Sequence, residues 1–195
     1  MITKIPIAII GCGGMGGRHL FGLKALADTG ISNIDLAAVC DLRRENAELL
    51  ADNALRLLGT RPAVYCDMEQ MAHGHPEIQA ADITTDAGSH HLVACQALDI
   101  GWHILCEKPL ALTIRGCNRI ITSQQRSGKI VSVAENYRRD PLCRLTKALL
   151  QAGIIGTPYT VFDISASSGN KIIILPWRHN KMVGGILIDA GVHNV

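Results

Sequence analysis

Four short stretches of this 195-residue sequence combine residue types that can do chemistry. The first, "GCGGMG" at residues 11–16, sets Gly11, Gly13 and Gly16 directly after the apolar run Ile5 to Ile10. Three glycines so spaced at a strand-to-helix turn permit a tight bend, a close approach of backbone N–H groups to a pyrophosphate, and close packing of helix on strand. Cys12, Gly14 and Met15 complete the loop, and the N-terminus of the following helix offers phosphates partial positive charge. The second is Asp41, which follows the next apolar run, 25 residues past Gly16 and near the spacing of a carboxylate that receives adenosine ribose hydroxyls. A carboxylate there repels a 2′-phosphate and favours NAD over NADP. Arg43 and Arg44 beside it keep NADP possible, and an N-cap for the next helix is the plainer reading of Asp41.

The third stretch, "CEKPL" at residues 106–110, puts Glu107 and Lys108 at the end of a candidate strand, on the edge where open α/β sheets bind ligands. For an arbitrary Glu-Lys a solvated surface pair is the plainer reading, and whether the Lys108–Pro109 bond is cis is not legible in sequence. The fourth, "GGILIDAGVHNV", carries Asp189 and His193 four residues apart, on one face of a helix. An imidazole with a carboxylate near it suits a general base at neutral pH; a polar surface pair is the alternative.

The elements that must position these residues follow from hydrophobic rhythm. Short apolar runs alternate with segments of helical period, the pattern of an α/β, Rossmann-type doubly wound parallel sheet. Strands are predicted at residues 5–10, 34–40, 63–66, 81–85, 103–106 and 130–134, with helices at 15–28, 43–58, 68–72, 89–99 and 113–127. After "VAENYRRDP" the rhythm changes: Pro141 suits the first turn of a helix to about Gln151, and "PYTVFDISASS" reads as one long strand, Pro158 to Ser168. The domain boundary is set near Asn136, giving a nucleotide-binding domain at 1–136 and an incomplete α/β substrate domain at 137–195.

Composition narrows the classes. A formal charge of +2, without a basic stripe interleaved with aromatics, argues against a nucleic-acid partner. Seven scattered cysteines without a Cys-x-x-Cys pair read as buried thiols in a reducing cytoplasm, and none adjoins a histidine as a nucleophile would require. The apolar run Ile5 to Ile10 is too short for a signal peptide, and no window reaches the roughly 20 apolar residues of a membrane span, so no membrane partner is expected. His73 and His75 near Cys66 and Asp67 read as a polar loop rather than a metal site, and no metal is expected. Trp177, Arg178 and His179 either line a substrate mouth or pack structurally.

Taken together, "GCGGMG", "SHHLVACQALDIGWHILCEKPLAL", "VAENYRR", "ALLQAGIIGTPY" and "PWRHNKMVGGILIDAGVH", in this order, closely resemble the Gfo/Idh/MocA family of nicotinamide-dependent oxidoreductases, named for glucose-fructose oxidoreductase and inositol dehydrogenase. The resemblance implies a dinucleotide fold followed by an α/β domain whose open sheet holds the substrate and builds a homo-oligomer. It implies oxidation or reduction at a secondary alcohol or carbonyl of a sugar, polyol or similar small molecule. Lys108 matches the lysine that contacts substrate and cofactor, and Glu107 the acid near the nicotinamide ribose. Asp189 and His193 match the substrate-side pair, the histidine being the acid/base. His90 and Asn136 match residues near the cofactor; Thr84 and Thr85 stand where relatives often have Thr-Pro, here Thr85-Asp86.

Relatives continue well past the catalytic histidine, so the sequence is expected to be C-terminally truncated, with part of its substrate sheet missing. Two other functions stay open: an NAD-dependent glycosidase of the same family, and a non-catalytic nucleotide-binding module.

Overall fold

The computed structural model describes residues 3–162, 164, 179, 180 and 183–194. The chain divides into two compact units, Met1–Val133 and Ala134–Val195. The first is built on a six-stranded sheet: β1 (Ile5–Ile10), β2 (Ile34–Cys40), β3 (Ala63–Tyr65), β4 (Ala80–Ile83), β5 (His103–Glu107) and β6 (Val131–Ala134). Five helices follow strands in turn: α1 (Gly14–Asp28), α2 (Arg44–Leu58), α3 (Met68–Gly74), α4 (His90–Ile100) and α5 (Ile114–Ser127). The strands run in the order β3-β2-β1-β4-β5-β6, with parallel pairing from β3 through β5. This is the doubly wound order, whose reversal between β1 and β4 opens a crevice at the carboxyl ends of those strands. The α/β reading of the sequence holds, and β1 and β2 have the predicted bounds. Elsewhere ends differ by one or two residues, chiefly at α3, which runs on to Gly74 rather than stopping at Ala72.

Why the sheet is covered on both faces is visible in β1. Alternate side chains of a strand point to opposite faces. Ile7 and Ile9 pack with Leu20, Leu36, Val39 and the Ala47, Leu50, Ala51, Ala54 face of α2. Ala8 and Ile10 pack instead with Met68, Met71, Ile83, Ala94, Ala97, Leu98 and Ile120. With no polar side on β1, helices must cover both faces; each fully buried Leu or Ile contributes roughly 1.5–3 kcal/mol. Alanines supply much of the contact surface and let the helices sit close to the sheet.

Closest of all is the start of α1. A methyl group on Gly16 would run into the carbonyl oxygen of Gly11, whereas Gly14 faces open space. Gly16→Ala is therefore expected to cost about 1–3 kcal/mol of stability in urea denaturation, through overpacking against backbone, while Gly14→Ala leaves the midpoint unchanged or raises it.

The second unit contains a 3₁₀ turn at Asn136–Arg139, α6 (Pro141–Gln151), and a short helix, Gly185–Gly191, that leads into a further 3₁₀ turn, Val192–Asn194. Asp140 caps α6, its Oδ1 accepting the N–H groups of Leu142 and Cys143 at 2.9 and 3.1 Å, and Pro141 takes the first helical position. The strand predicted from Pro158 to Ser168 is not found where the chain is described: residues 158–162 form no strand, while 163 and 165–168 lie outside the described residues. A strand is stabilised by a ladder partner, and none pairs with these residues among those described. Among the described residues no helix is long and apolar enough to cross a membrane.

Candidate functional site

The glycine loop is held from three sides. Gly11, with φ at +96°, donates its N–H to Cys40 O at 2.8 Å, and its carbonyl accepts the Thr84 hydroxyl at 2.6 Å. A side chain on Gly11 is doubly excluded, by that φ and because its Cβ would stand 2.6 Å from the Thr85 nitrogen. The Cys12 N–H donates to Asp41 Oδ2 at 2.7 Å, and Asp41 Oδ1 accepts the Arg43 N–H at 2.8 Å. Asp41 is thus not the N-cap of α2, a place held by Arg43, but a half-buried carboxylate that ties the loop to the end of β2. Arg44 is paired with Glu48 along α2 at 3.1 Å.

Gly13 and Gly14 are exposed, and nothing lies within 4 Å of where their side chains would start. The first N–H groups of a helix have no partner within it. An open, side-chain-free ledge therefore meets unpaired donors and the positive end of a 15-residue helix, which is what a pyrophosphate requires. The residues present fit the phosphates of a dinucleotide.

At the neighbouring strand ends, polar groups are buried and paired. Glu107 is 7 % exposed; its Oε2 accepts the Lys108 N–H at 3.0 Å and its Oε1 stands 3.0 Å from His19 Nε2. His19 Nδ1 stands 2.7 Å from Oδ2 of Asp82, in β4. Burial pulls the His19 pKa down, but the hydrogen bonds and charges of Asp82 and Glu107 outweigh it and raise it to about 9. His90, 1 % exposed, has Nδ1 2.7 Å from Pro109 O and Nε2 3.1 Å from Thr85 O, so it clamps two turns together. Thr85 is half-buried, its hydroxyl taking one from Ser89 at 2.9 Å. The Lys108–Pro109 bond is cis, and Lys108 is partly exposed.

In the second unit, His193 Nδ1 lies 2.7 and 2.9 Å from the two carboxylate oxygens of Glu135, and its ring meets Tyr137 edge-on at 5.1 Å between centroids. Glu135 Oε1 also accepts the Tyr137 N–H at 3.0 Å, so the carboxylate is fixed from both sides. Asp189 lies on the short helix one turn before His193, and Asn136 is exposed in the 3₁₀ turn. Sequence reasoning named Asp189 and missed Glu135. The available signal was its place at a strand's carboxyl end, shared with Asp41 and Glu107. It also missed His19 and Asp82. Trp177 and Arg178 lie outside the described residues, and His179 is exposed.

Of the seven thiols, expected to be buried, Cys12, Cys40 and Cys106 are, while Cys66, Cys95 and Cys117 are partly buried and Cys143 is exposed. Burial, with Asp41 nearby, pushes Cys12 far up; burial raises Cys40 and Cys106 to about 12. Among the described residues no three His, Cys, Asp or Glu side chains gather as a metal site would.

A loop that fits a pyrophosphate, a carboxylate beside it and a doubly wound sheet define a dinucleotide-binding α/β protein. Residues 5–135 match the model of the oxidoreductase family with the NAD-binding Rossmann fold, GFO_IDH_MocA, and the chain belongs to this family. It is 32 % identical over 158 residues to inositol 2-dehydrogenase/D-chiro-inositol 3-dehydrogenase of Lacticaseibacillus casei, a match covering 80 % of this chain and 43 % of that one. It is 30 % identical over 155 residues to glycosyl hydrolase family 109 protein 2 of Phocaeicola vulgatus, covering 78 % of this chain and 37 % of the relative. Among solved structures it resembles myo-inositol dehydrogenase from Lactobacillus casei in complex with NAD(H) and myo-inositol, with a TM-score of 0.69 and 30 % identity, covering 80 % of this chain and 44 % of that one. The chain thus spans less than half the length of these relatives.

The raised pKa of His19 has a measurable consequence. Its folded value of about 9 lies above the ordinary 6.5, so its contribution is complete below pH 6.5 and lost as pH rises through about 9. Urea denaturation at pH 6.5 and pH 9 is expected to differ by about 3 kcal/mol in the native protein from this source, and His19→Gln to lack that difference.

Proposed function

We propose that the first unit binds a nicotinamide dinucleotide, NAD in preference to NADP, and that the chain belongs to an oxidoreductase acting on a secondary alcohol or carbonyl of a sugar or polyol. The observation that carries this reading is the open Gly13–Gly14 ledge beside Asp41, whose carboxylate is already turned into the loop. Preference for NAD follows because a 2′-phosphate would meet that carboxylate, while Arg44 is occupied by Glu48. Residues 1–136 form the cofactor domain and residues 137–195 supply substrate-side groups. The polyol class is supported by the named activity of the Lacticaseibacillus relative. A soluble cytoplasmic homo-oligomer without nucleic-acid or membrane partners is the setting that suits this chemistry and the free cysteines.

Bound nicotinamide supplies a hydride acceptor. The chain's own residues must then take the hydroxyl proton and hold the charge that develops on oxygen. His193 does the first: a neutral imidazole donating from Nδ1 to Glu135 keeps the Nε2 lone pair for the substrate proton, and the carboxylate stabilises the imidazolium that results. Lys108 does the second, as a placed cation, and Asp189 orients substrate or histidine. Gly13, Gly14 and Met15 hold the phosphates, on a loop that Gly11, Cys12 and Gly16 shape, with Asp41 on the adenosine ribose and Glu107 and Thr85 on the nicotinamide side. Thr84 braces the loop through Gly11 O. His90 is buried between the Thr85 and Pro109 carbonyls, while Asn136 lies in the 3₁₀ turn that follows β6.

Fluorescence titration with NADH should saturate, with NADPH at least about tenfold weaker. Gly13→Val should abolish binding at only a modest cost in melting temperature, that of a poorer N-cap, because its side chain enters open space that the phosphates need. A folded native chain that binds neither nucleotide overturns the proposal. In a polyol-oxidation assay Lys108→Ala should lower kcat by about 10²-fold or more, with cofactor affinity changed much less. The similarity to a family 109 glycosyl hydrolase favours a second reading, NAD-dependent glycoside cleavage. Sugar release without net NADH formation would select it; net NADH from a free polyol would exclude it.

A further inference from the structure

The cluster of His19, Asp82 and Glu107 is not accounted for by phosphate binding or proton transfer. Its three members come from three different elements, α1, β4 and β5. Both ring nitrogens of His19 face carboxylate oxygens, Nδ1 toward Asp82 at 2.7 Å and Nε2 toward Glu107 at 3.0 Å. A neutral imidazole has one N–H, so one nitrogen would turn its lone pair onto a carboxylate; only the imidazolium satisfies both sides. The side chains are largely buried, 16 % exposed for His19 and 8 % for Asp82. The second oxygen of Asp82, Oδ1, has no hydrogen-bond partner among the described residues, so His19 is the group that compensates this carboxylate. The same imidazolium fixes one oxygen of Glu107, whose other oxygen receives the Lys108 N–H.

We propose that His19 is a positioning residue for the nicotinamide half of the dinucleotide: from α1, which the Gly16–Gly11 contact already holds in place, it fixes Glu107 and with it the Glu107–Lys108 turn. The inference rests on the dinucleotide reading above. Glu107 held in this way keeps free lone pairs toward ribose hydroxyls. Released from His19, it can rotate away, and Lys108 loses the carboxylate that anchors its backbone. The adenosine half is independent of this lock, because Asp41 and the Cys12 N–H hold that end of the loop without His19.

The two halves can be titrated apart. ADP carries the adenosine and both phosphates and lacks the nicotinamide riboside; NADH carries all of it. Affinities of the full chain for NADH and ADP are measured by calorimetry for the native protein, for His19→Gln and for the double variant His19→Gln with Asp82→Asn. The double variant removes the uncompensated carboxylate and serves where the single one does not fold. The lock predicts that both variants bind NADH at least about tenfold more weakly and ADP within about twofold of the native protein. A merely structural histidine moves both ligands together. Equal weakening of NADH and ADP, or unchanged NADH affinity, overturns this inference alone. A folded native chain that binds neither ligand overturns the dinucleotide reading, and this inference with it.

Discussion

The architecture depends first on how closely α1 approaches the end of β1. Gly16 has no room for a methyl group against the Gly11 carbonyl, and that carbonyl is held in turn by the Thr84 hydroxyl at 2.6 Å. One short-range steric condition therefore brings the ends of two strands, β1 and β4, and a helix N-terminus to one point. A residue larger than glycine at position 16 would push the helix outward, and the unpaired N–H donors of its first turn would move with it. Packing and function are the same contact here: the approach that completes the core on one face of the sheet also aims the positive end of the helix at the crevice.

The second organising feature is charge that is never left alone. Carboxylates stand at or near the carboxyl ends of β2, β4, β5 and β6, and each faces a donor: Asp41 the Cys12 N–H, Asp82 and Glu107 the His19 ring, Glu135 the His193 ring. Desolvated carboxylates without such partners would cost several kcal/mol each. The pairing also decides direction. A carboxylate with one oxygen engaged presents the other, or a remaining lone pair, along a defined line, which is how a sheet edge recognises hydroxyls rather than merely attracting cations.

What could be read in sequence divides along physical lines. The six strands and their helices were legible because β1 and the Leu36–Cys40 part of β2 pack on both faces and read as continuous apolar runs, and because the glycine loop is a local structure carried by adjacent residues. Asp41 was legible for its spacing, though its grip on Cys12 N–H was not. His19, Asp82 and Glu135 were not legible as site residues, because nothing within a few positions of each announces a partner 58 to 88 residues away. A histidine on the second turn of a helix reads as a surface residue until the sheet brings two carboxylates to it. The strand expected from Pro158 is not found over residues 158–162 for the converse reason: the alternation was there, but strand character belongs to a pair, and a sequence does not carry its partner within one segment.

The strand order also has a consequence in time. β1 is central in the sheet yet is made before the other five strands, and its two neighbours differ greatly in their distance along the chain: Ile5 pairs with Ile34 on one side, Ile7 with Ala80 on the other. The half-sheet of β1, β2 and β3 can assemble from local contacts during synthesis, leaving the Ile7–Ile10 edge bare until β4 is made. For that interval the nascent protein presents an unpaired apolar edge, open to another chain that offers a strand. Arrival of β4 closes the edge and, with Thr84 just beyond it, braces the glycine loop. The brace of the loop thus arrives with the strand that closes this edge of β1, and the open edge passes outward to β4 until β5 is made.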